Sequence, residues 1–145
     1  MAITVSIVED NEQNLELLKI YMEDVPEAEV ITAGNGVEAL EQIEEYAPDL
    51  VLLDIMMPRM SGFEVCKRIK GDPKTRDITV VMVTALDPAQ ERVKGLEAGA
   101  DAFATKPYKE QSLLRRVESI LVNRAMKEAG ELTEDGGVYF GGRKH

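Results

Sequence analysis

The stretch Asp49-Leu50-Val51-Leu52-Leu53-Asp54-Ile55-Met56-Met57-Pro58 decides the fold. Leu50 to Leu53 is an unbroken apolar run, too short for a helix and lacking the polar alternation of a half-exposed strand. Such a run fits a strand covered on both faces. It ends on a carboxylate, Asp54. Four further short runs recur, Ile3–Val8, Glu29–Ala33, Thr79–Thr84 and Ala102–Thr105; three of the five are rich in Val, Ile or Leu with hardly any polar alternation, Val80-Val81-Met82-Val83 being the clearest case.

Between the runs the apolar residues recur at helical spacing. Leu15, Leu18, Met22 and Val25 form one stripe. Val37, Leu40, Ile43 and Ala47 form a second, with Glu38, Glu41, Glu44 and Glu45 facing out. Cys66 and Ile69 anchor a third, Ala89, Val93 and Leu96 a fourth, and Leu114, Val117 and Leu121 a fifth. Ser61 with Glu64 three residues on reads as a capping box, and Asp87-Pro88 as an N-cap followed by proline in the first turn. Gly34 to Gly36, Gly71 to Pro73 and Gly99 punctuate the ends. Strand and helix alternate five times. The expected fold is therefore α/β: a three-layer sandwich with a five-stranded parallel sheet, right-handed crossovers and helices on both faces. Ligands of such sheets sit outside the carboxyl ends of the strands, where strand order reverses.

Composition narrows the function. The chain has 145 residues, enough for one domain. It holds 27 Asp and Glu against 17 Lys and Arg, a net charge of −10. That balance disfavours direct contact with nucleic acid or an anionic membrane. A hydrophobic share of 44% is too high for a disordered chain. Cys66 is the sole cysteine and His145 the sole histidine, so an internal disulfide is impossible and His/Cys metal sites or histidine catalysis are disfavoured. No apolar stretch approaches the ~20 residues of a membrane span, and no signal peptide is visible. The expected location is cytoplasmic.

The residues that end the strands carry the chemistry. They are Glu9-Asp10, Asp54, Thr84-Ala85 and Lys106-Pro107. Taken singly, each has a bland explanation: Asp10-Asn11 a helix cap, Asp54 a turn former, Thr84 a β-branched strand residue, Lys106-Pro107 a loop. Taken together they converge on one sheet edge. Gathered carboxylates repel unless a cation offsets them. Two or three of them, completed by waters, suit Mg2+ better than an all-protein Ca2+ cage. A cation, a lysine and a hydroxyl are what a transferred phosphoryl group needs. Asp54 is then the natural nucleophile.

At these positions the chain resembles the receiver domain of two-component response regulators, whose fold is flavodoxin-like and CheY-like. The carrying residues are Val8-Glu9-Asp10-Asn11, Asp49 to Pro58, Ser61-Gly62, Val83-Thr84-Ala85, Gly99-Ala100-Asp101-Ala102-Phe103 and Lys106-Pro107. The resemblance covers about Ile3 to Arg124. It implies that Asp54 accepts a phosphoryl group from a phosphohistidine on a sensor histidine kinase or a histidine phosphotransfer protein. It implies Mg2+, with Mn2+ as a substitute, on Asp10, Asp54 and the backbone carbonyl of Met56, and on Glu9 through water. Lys106 would pair with a phosphoryl oxygen, Thr84 would move to hydrogen-bond the group, and Phe103 would turn inward. Pro58 and Gly62 would shape the loop after Asp54, and Pro107 would aim Lys106 from a cis peptide bond. Such a domain catalyses its own phosphoryl transfer and a slow dephosphorylation without being a turnover enzyme. It signals through protein contacts on the surface of the fourth and fifth helices, where Arg92, Lys94, Arg115 and Arg116 are candidates, and it allows a phosphorylation-dependent dimer.

Two residues depart from the family pattern: Glu9 where Asp is commoner, and Phe103 where Tyr is frequent. Met56 and Leu86 flank the site and are apolar, so neither orients an attacking water, and the phosphoryl state should be long-lived. An aspartyl-phosphate hydrolase would want a second Asp at Met56. A nucleotide or flavin binder would want a Gly- or Ser/Thr-rich loop after the first strand, where this chain has Glu9-Asp10-Asn11-Glu12. A purely structural role would need a vestigial site, and this one is intact. The expected domain is 1–124. Residues 125–145 read as the end of the last helix and a glycine-rich tail with a small apolar knot at Val138-Tyr139-Phe140. No output domain is expected in 145 residues, so a stand-alone receiver is the first reading and a receiver excised from a longer regulator the alternative.

Overall fold

The elements run in the order β1 (Ile3–Val8), α1 (Glu12–Met22), β2 (Ala28–Ala33), α2 (Gly36–Tyr46), β3 (Leu50–Asp54), α3 (Gly62–Gly71), β4 (Thr79–Thr84), α4 (Pro88–Ala98) and β5 (Ala102–Thr105). The structure is a computed structural model that describes residues 3–25, 28–84, 88–105, 114–115 and 117–120, with Thr84, Pro88, Glu91 and Thr105 described by backbone alone. The chain divides into two units, Met1–Lys109 and Glu110–His145, and the sheet with its four helices belongs to the first. In the second, residues 114–115 and 117–120 are helical, as the fifth stripe predicts. Leu121, the remaining arginine candidate Arg116 and the tail 125–145 lie outside the described residues, as does the Asp87 cap.

All five strands are parallel, in the order β2-β1-β3-β4-β5. The chain steps from β1 outward to β2 and then returns to the other side of β1 to lay down β3. The reversal therefore falls between β1 and β3, and the crevice outside their carboxyl ends is the expected ligand position. Every residue of β3 is buried. Val51, Leu53, Val80 and Met82 join Ile43 of α2 and Val65, Cys66 and Ile69 of α3 in one cluster. Leu50, Leu52, Val81 and Val83, which alternate with them, are buried as well. This is the two-sided coverage that the unbroken apolar runs require.

Caps fix the helix starts. Asn11, Asn35 and Ser61 accept from the backbone N–H groups of Asn14, Glu38 and Glu64 at 2.9, 2.8 and 3.3 Å. The capping box at Ser61 is only half made, because the Glu64 carboxylate takes Nε of Arg68 at 3.0 Å instead. Gly99, at φ 99°, ends α4 in a left-handed turn that few side chains tolerate. Its N–H donates to Leu96 and that of Ala100 to Gly95, the paired bonds of a Schellman cap.

Two stripes differ from the sequence reading. In α2 the buried residues are Gly36, Ala39 and Ile43, whereas Val37 and Ala47 are exposed. In α4 all of Ala89, Val93 and Leu96 are exposed, and Gly95 and Ala98 face inward. The cause is close approach. A methyl group at Gly36 would sit 2.9 Å from Val65, and one at Gly95 would sit 2.6 Å from Phe103. Small residues win the inner face where the helix lies tight on its neighbour, and a count of large apolar residues cannot see them.

At the amino ends of β4 and β5 one lysine ties three segments. Lys70 Nζ donates to the carbonyls of Arg76 and Ile78 at 3.0 and 2.6 Å and to Asp101 Oδ2 at 2.8 Å. That same oxygen accepts from Val80 N at 2.8 Å. Removing the ammonium strands several acceptors in a partly buried place. Lys70→Met is expected to lower the unfolding free energy by about 2 kcal/mol, and Asp101→Asn by less, as read from urea denaturation.

Cys66 is fully buried on α3, with Sγ 3.4 Å from the Ala98 carbonyl. Burial pushes its thiol up to about 11, with Asp101 adding to the rise and Lys70 opposing it. A folded value above the unfolded one contributes stability that is present below the unfolded value and lost as pH climbs through the folded one. Wild-type protein should therefore lose stability between about pH 9 and 11 relative to Cys66→Ala in urea titrations. At neutral pH the native thiol should resist alkylation.

Candidate functional site

Strand register builds the site. Val8 of β1 lies opposite Leu53 of β3, so the next residues, Glu9 and Asp54, emerge side by side at the carboxyl ends of the two strands. The pairing continues past the strands: Glu9 N donates to Ala33 O at 3.0 Å and Ile55 N to Val83 O at 3.4 Å. Both carboxylates are therefore carried on hydrogen-bonded backbone. Glu9 is 1% exposed and Asp54 2%, while Asp10 is open to solvent.

Each of Glu9, Asp10 and Asp54 offers one carboxylate oxygen, and the three oxygens lie within 4.8 Å of one another. Two of these groups sit in a low-dielectric setting above an apolar sheet, where mutual repulsion is strong. Asn11 offsets part of it: its N–H donates to Glu9 Oε2 at 3.2 Å, while its side chain caps α1. An all-oxygen, highly anionic cluster with one open side has the donor set of a hard divalent cation that keeps several waters. The residues fit Mg2+.

The loop after Asp54 is packed against the backbone of Asp54 itself. Met57 N donates to Ile55 O at 3.2 Å, Met60 N to Pro58 O at 2.7 Å and Gly62 N to Ile55 O at 3.0 Å. Arg59 turns the chain with φ 71°. Gly62 is compelled: a Cβ there would lie 2.8 Å from Ile55 Cα and 3.0 Å from the Asp54 carbonyl carbon, and neither belongs to a flexible side chain. Met56 is 61% exposed beside the acids, and Pro58 is exposed at the bend.

Of the other expected residues, Thr84 ends β4, paired with Thr105 of β5. Phe103 is half-buried on β5, in register with Met82. Lys106, Pro107 and Leu86 lie outside the described residues. Among the described residues, then, the structure brings together the acidic triad and the loop that Pro58 and Gly62 shape. The sequence reading passed over Gly95, which abuts Phe103. The available signal was a lone glycine inside a helical pattern, which usually has a packing or functional reason. Arg92 and Lys94 are not simply solvated: their charges lie 5.8 and 5.9 Å from the ring centres of Phe103 and Phe63.

Comparison with known proteins agrees with this geometry. Residues 5–118 match the response regulator receiver domain family. The chain is 44% identical over 120 residues to the response regulator PleD of Caulobacter vibrioides, covering 83% of this chain and 26% of that protein. Among solved structures it is similar to the signal receiver domain of a signal transduction histidine kinase from Syntrophus aciditrophicus (34% identity, TM-score 0.77, covering 96% of this chain and 100% of that one). It is also similar to the BeF3-activated receiver domain of DrrB, a Thermotoga maritima protein (32% identity, TM-score 0.75, covering 83% and 98%). The chain belongs to the receiver domain family of two-component response regulators, whose members are phosphorylation-activated signalling domains with the CheY-like fold. It spans about a quarter to a half of the length of the curated relatives it matches.

Because backbone meets backbone at Gly62, Gly62→Ala should cost about 2 kcal/mol of stability and weaken Mg2+ binding at the acids that the loop supports. Urea denaturation and Mg2+ titration calorimetry on the same variant check both parts.

Proposed function

We propose that this domain is a phosphorylation switch in a two-component phosphorelay, with Asp54 as the phosphoacceptor and Mg2+ held by Asp54, Asp10, the Met56 carbonyl and, through water, Glu9. The gathering of three carboxylate oxygens within 4.8 Å at the strand reversal carries this reading. In the transfer, an Asp54 carboxylate oxygen attacks phosphorus, an O–P bond forms, and the N–P bond to the donor imidazole breaks. The imidazole leaves with the bonding pair and takes a proton. Bound Mg2+ supplies charge neutralisation for the phosphoryl oxygens. Asp54 needs no further positioning, because β3 and the Gly62 loop already hold its backbone. Lys106 pairs with a phosphoryl oxygen from the end of β5, aimed by Pro107. Thr84 and Phe103 relay the new charge to the surface of α4 and the fifth helix.

The donor is a sensor histidine kinase or a histidine phosphotransfer protein, and the output is a contact with a protein, a second receiver included. Among the described residues no helix is long and apolar enough to cross a membrane, and the acidic balance disfavours direct nucleic-acid contact. The domain reading of 1–124 followed by a tail, and a cytoplasmic location, complete the proposal.

Incubation with Mg2+ and acetyl phosphate, followed by intact mass measurement, should give one phosphoryl adduct that Asp54→Asn and chelation each abolish. An equal adduct on Asp54→Asn would sink the assignment. Because Met56 and Leu86 cannot orient water, label on the native chain should decay slowly in Mg2+ alone, and Met56→Asn should hasten the loss severalfold. Rapid decay of the wild-type label refutes that part.

A further inference from the structure

An interior glycine weakens a helix, yet α4 carries Gly95 one turn before its end. Its environment supplies the reason. A Cβ at Gly95 would lie 2.6 and 2.8 Å from Cε1 and Cζ of Phe103 and 3.0 Å from Met82 Sδ. The helix is notched at this point, and the edge of the Phe103 ring occupies the notch. Arg92, three residues earlier on α4, places its guanidinium 5.8 Å from the centre of the same ring. One helix thus holds one aromatic side chain at two points.

The far end of α4 is fastened. Gly99 and Ala100 close the Schellman cap on Leu96 and Gly95, and Asp101 is tied to Lys70 and Val80. A force at Gly95 therefore acts one turn from a fixed end and is expressed in the preceding turns, where Ala89 and Val93 are exposed. The ring itself stands on β5 beside Met82, two residues before Thr84 ends β4.

We infer that Gly95 is the positioning residue through which Phe103 sets the position of α4: with the ring in the notch the helix lies close on the sheet, and with the notch filled it cannot. The seating of the ring stands on the geometry alone, whereas its trigger rests on the phosphorylation reading above.

The test is hydrogen exchange of the α4 amides in the whole chain, for wild type, Gly95→Ala, Phe103→Leu and the double variant. Leucine lacks the distal ring atoms that a methyl group at position 95 would strike. A plain Gly→Ala change inside a helix slows exchange, by about fivefold for the usual propensity gain. Here Gly95→Ala should instead speed α4 exchange, by about tenfold or more if the displaced ring forfeits its buried contacts, and adding Phe103→Leu should restore slow exchange. Slower exchange in Gly95→Ala overturns the inference.

A second readout is one that mere packing would not move. After acetyl phosphate treatment in Mg2+, the exchange of wild-type α4 should shift. In Gly95→Ala that shift should fall to less than about a third although Asp54 is labelled to the same extent. A labelled wild-type protein whose α4 does not respond, or an undiminished response in Gly95→Ala, also overturns it. If no aspartate is labelled in wild type, the phosphorylation reading fails, and exchange in the four untreated proteins still decides the notch.

Discussion

Glu9 and Asp54 are forced together by strand register, at the end of a sheet whose adjoining residues are apolar. Below Glu9 lie Ile7 and Val8, and below Asp54 lie Leu52 and Leu53, all buried. Two carboxylates in that setting repel through a medium that screens poorly. Backbone dipoles answer part of the charge, as in the Asn11 N–H on Glu9, and a cation is suited to supply more. The surrounding structure is built around this one contact. The first helix starts at Asn11, and the loop after β3 must fold back over the Asp54 backbone closely enough to exclude every residue but glycine at position 62. A phosphoryl group added at such a place changes the local charge balance more than it would on an open surface.

β3 and α4 have opposite mechanical characters. β3 is buried along its whole length and bonded on both sides, so it holds Asp54 still. α4 turns small residues inward and leaves Val93 and Leu96 57% and 63% exposed. A helix that buries little apolar surface has little to lose by shifting, and elements that move in switches are drawn from the low-stability end of a fold. On the proposed reading the rigid element would carry the phosphoacceptor and the helix that buries less would report its state.

Much of this was legible in the sequence, for a physical reason. A strand covered on both faces is apolar, as β3 is, and four of the five runs coincide with the observed strands while β2 begins only one residue earlier, at Ala28. The strand-end rule then brought Glu9, Asp10 and Asp54 together without any knowledge of distance. What escaped was whatever depends on close approach or on remote pairing. Val37, Val93 and Leu96 look like core residues and are exposed, because Gly36, Ala39, Gly95 and Ala98 take the inner positions. Lys70 and Asp101 are 31 residues apart, and no local pattern joins them. Glu64 three residues after Ser61 suggested a full capping box, but Arg68, a turn further along the helix, competes for the same carboxylate.

The two ends of the sheet handle charge in opposite ways. At the amino ends of β4 and β5, the Asp101 oxygen meets both a lysine ammonium and a backbone N–H, and Lys70 also reaches two carbonyls. That cluster neutralises itself, as a partly buried ionic group must if it is to hold segments together. At the carboxyl ends of β1 and β3, three acids are gathered, an oxygen set suited to a divalent cation. The domain's net charge of −10 is thus of two kinds. The glutamates on the outer face of α2 are exposed to water. Glu9 and Asp54 are buried beside a third acid, and that concentration of like charge is the condition under which a cation and a phosphoryl group can be held at a place the sheet has already prepared.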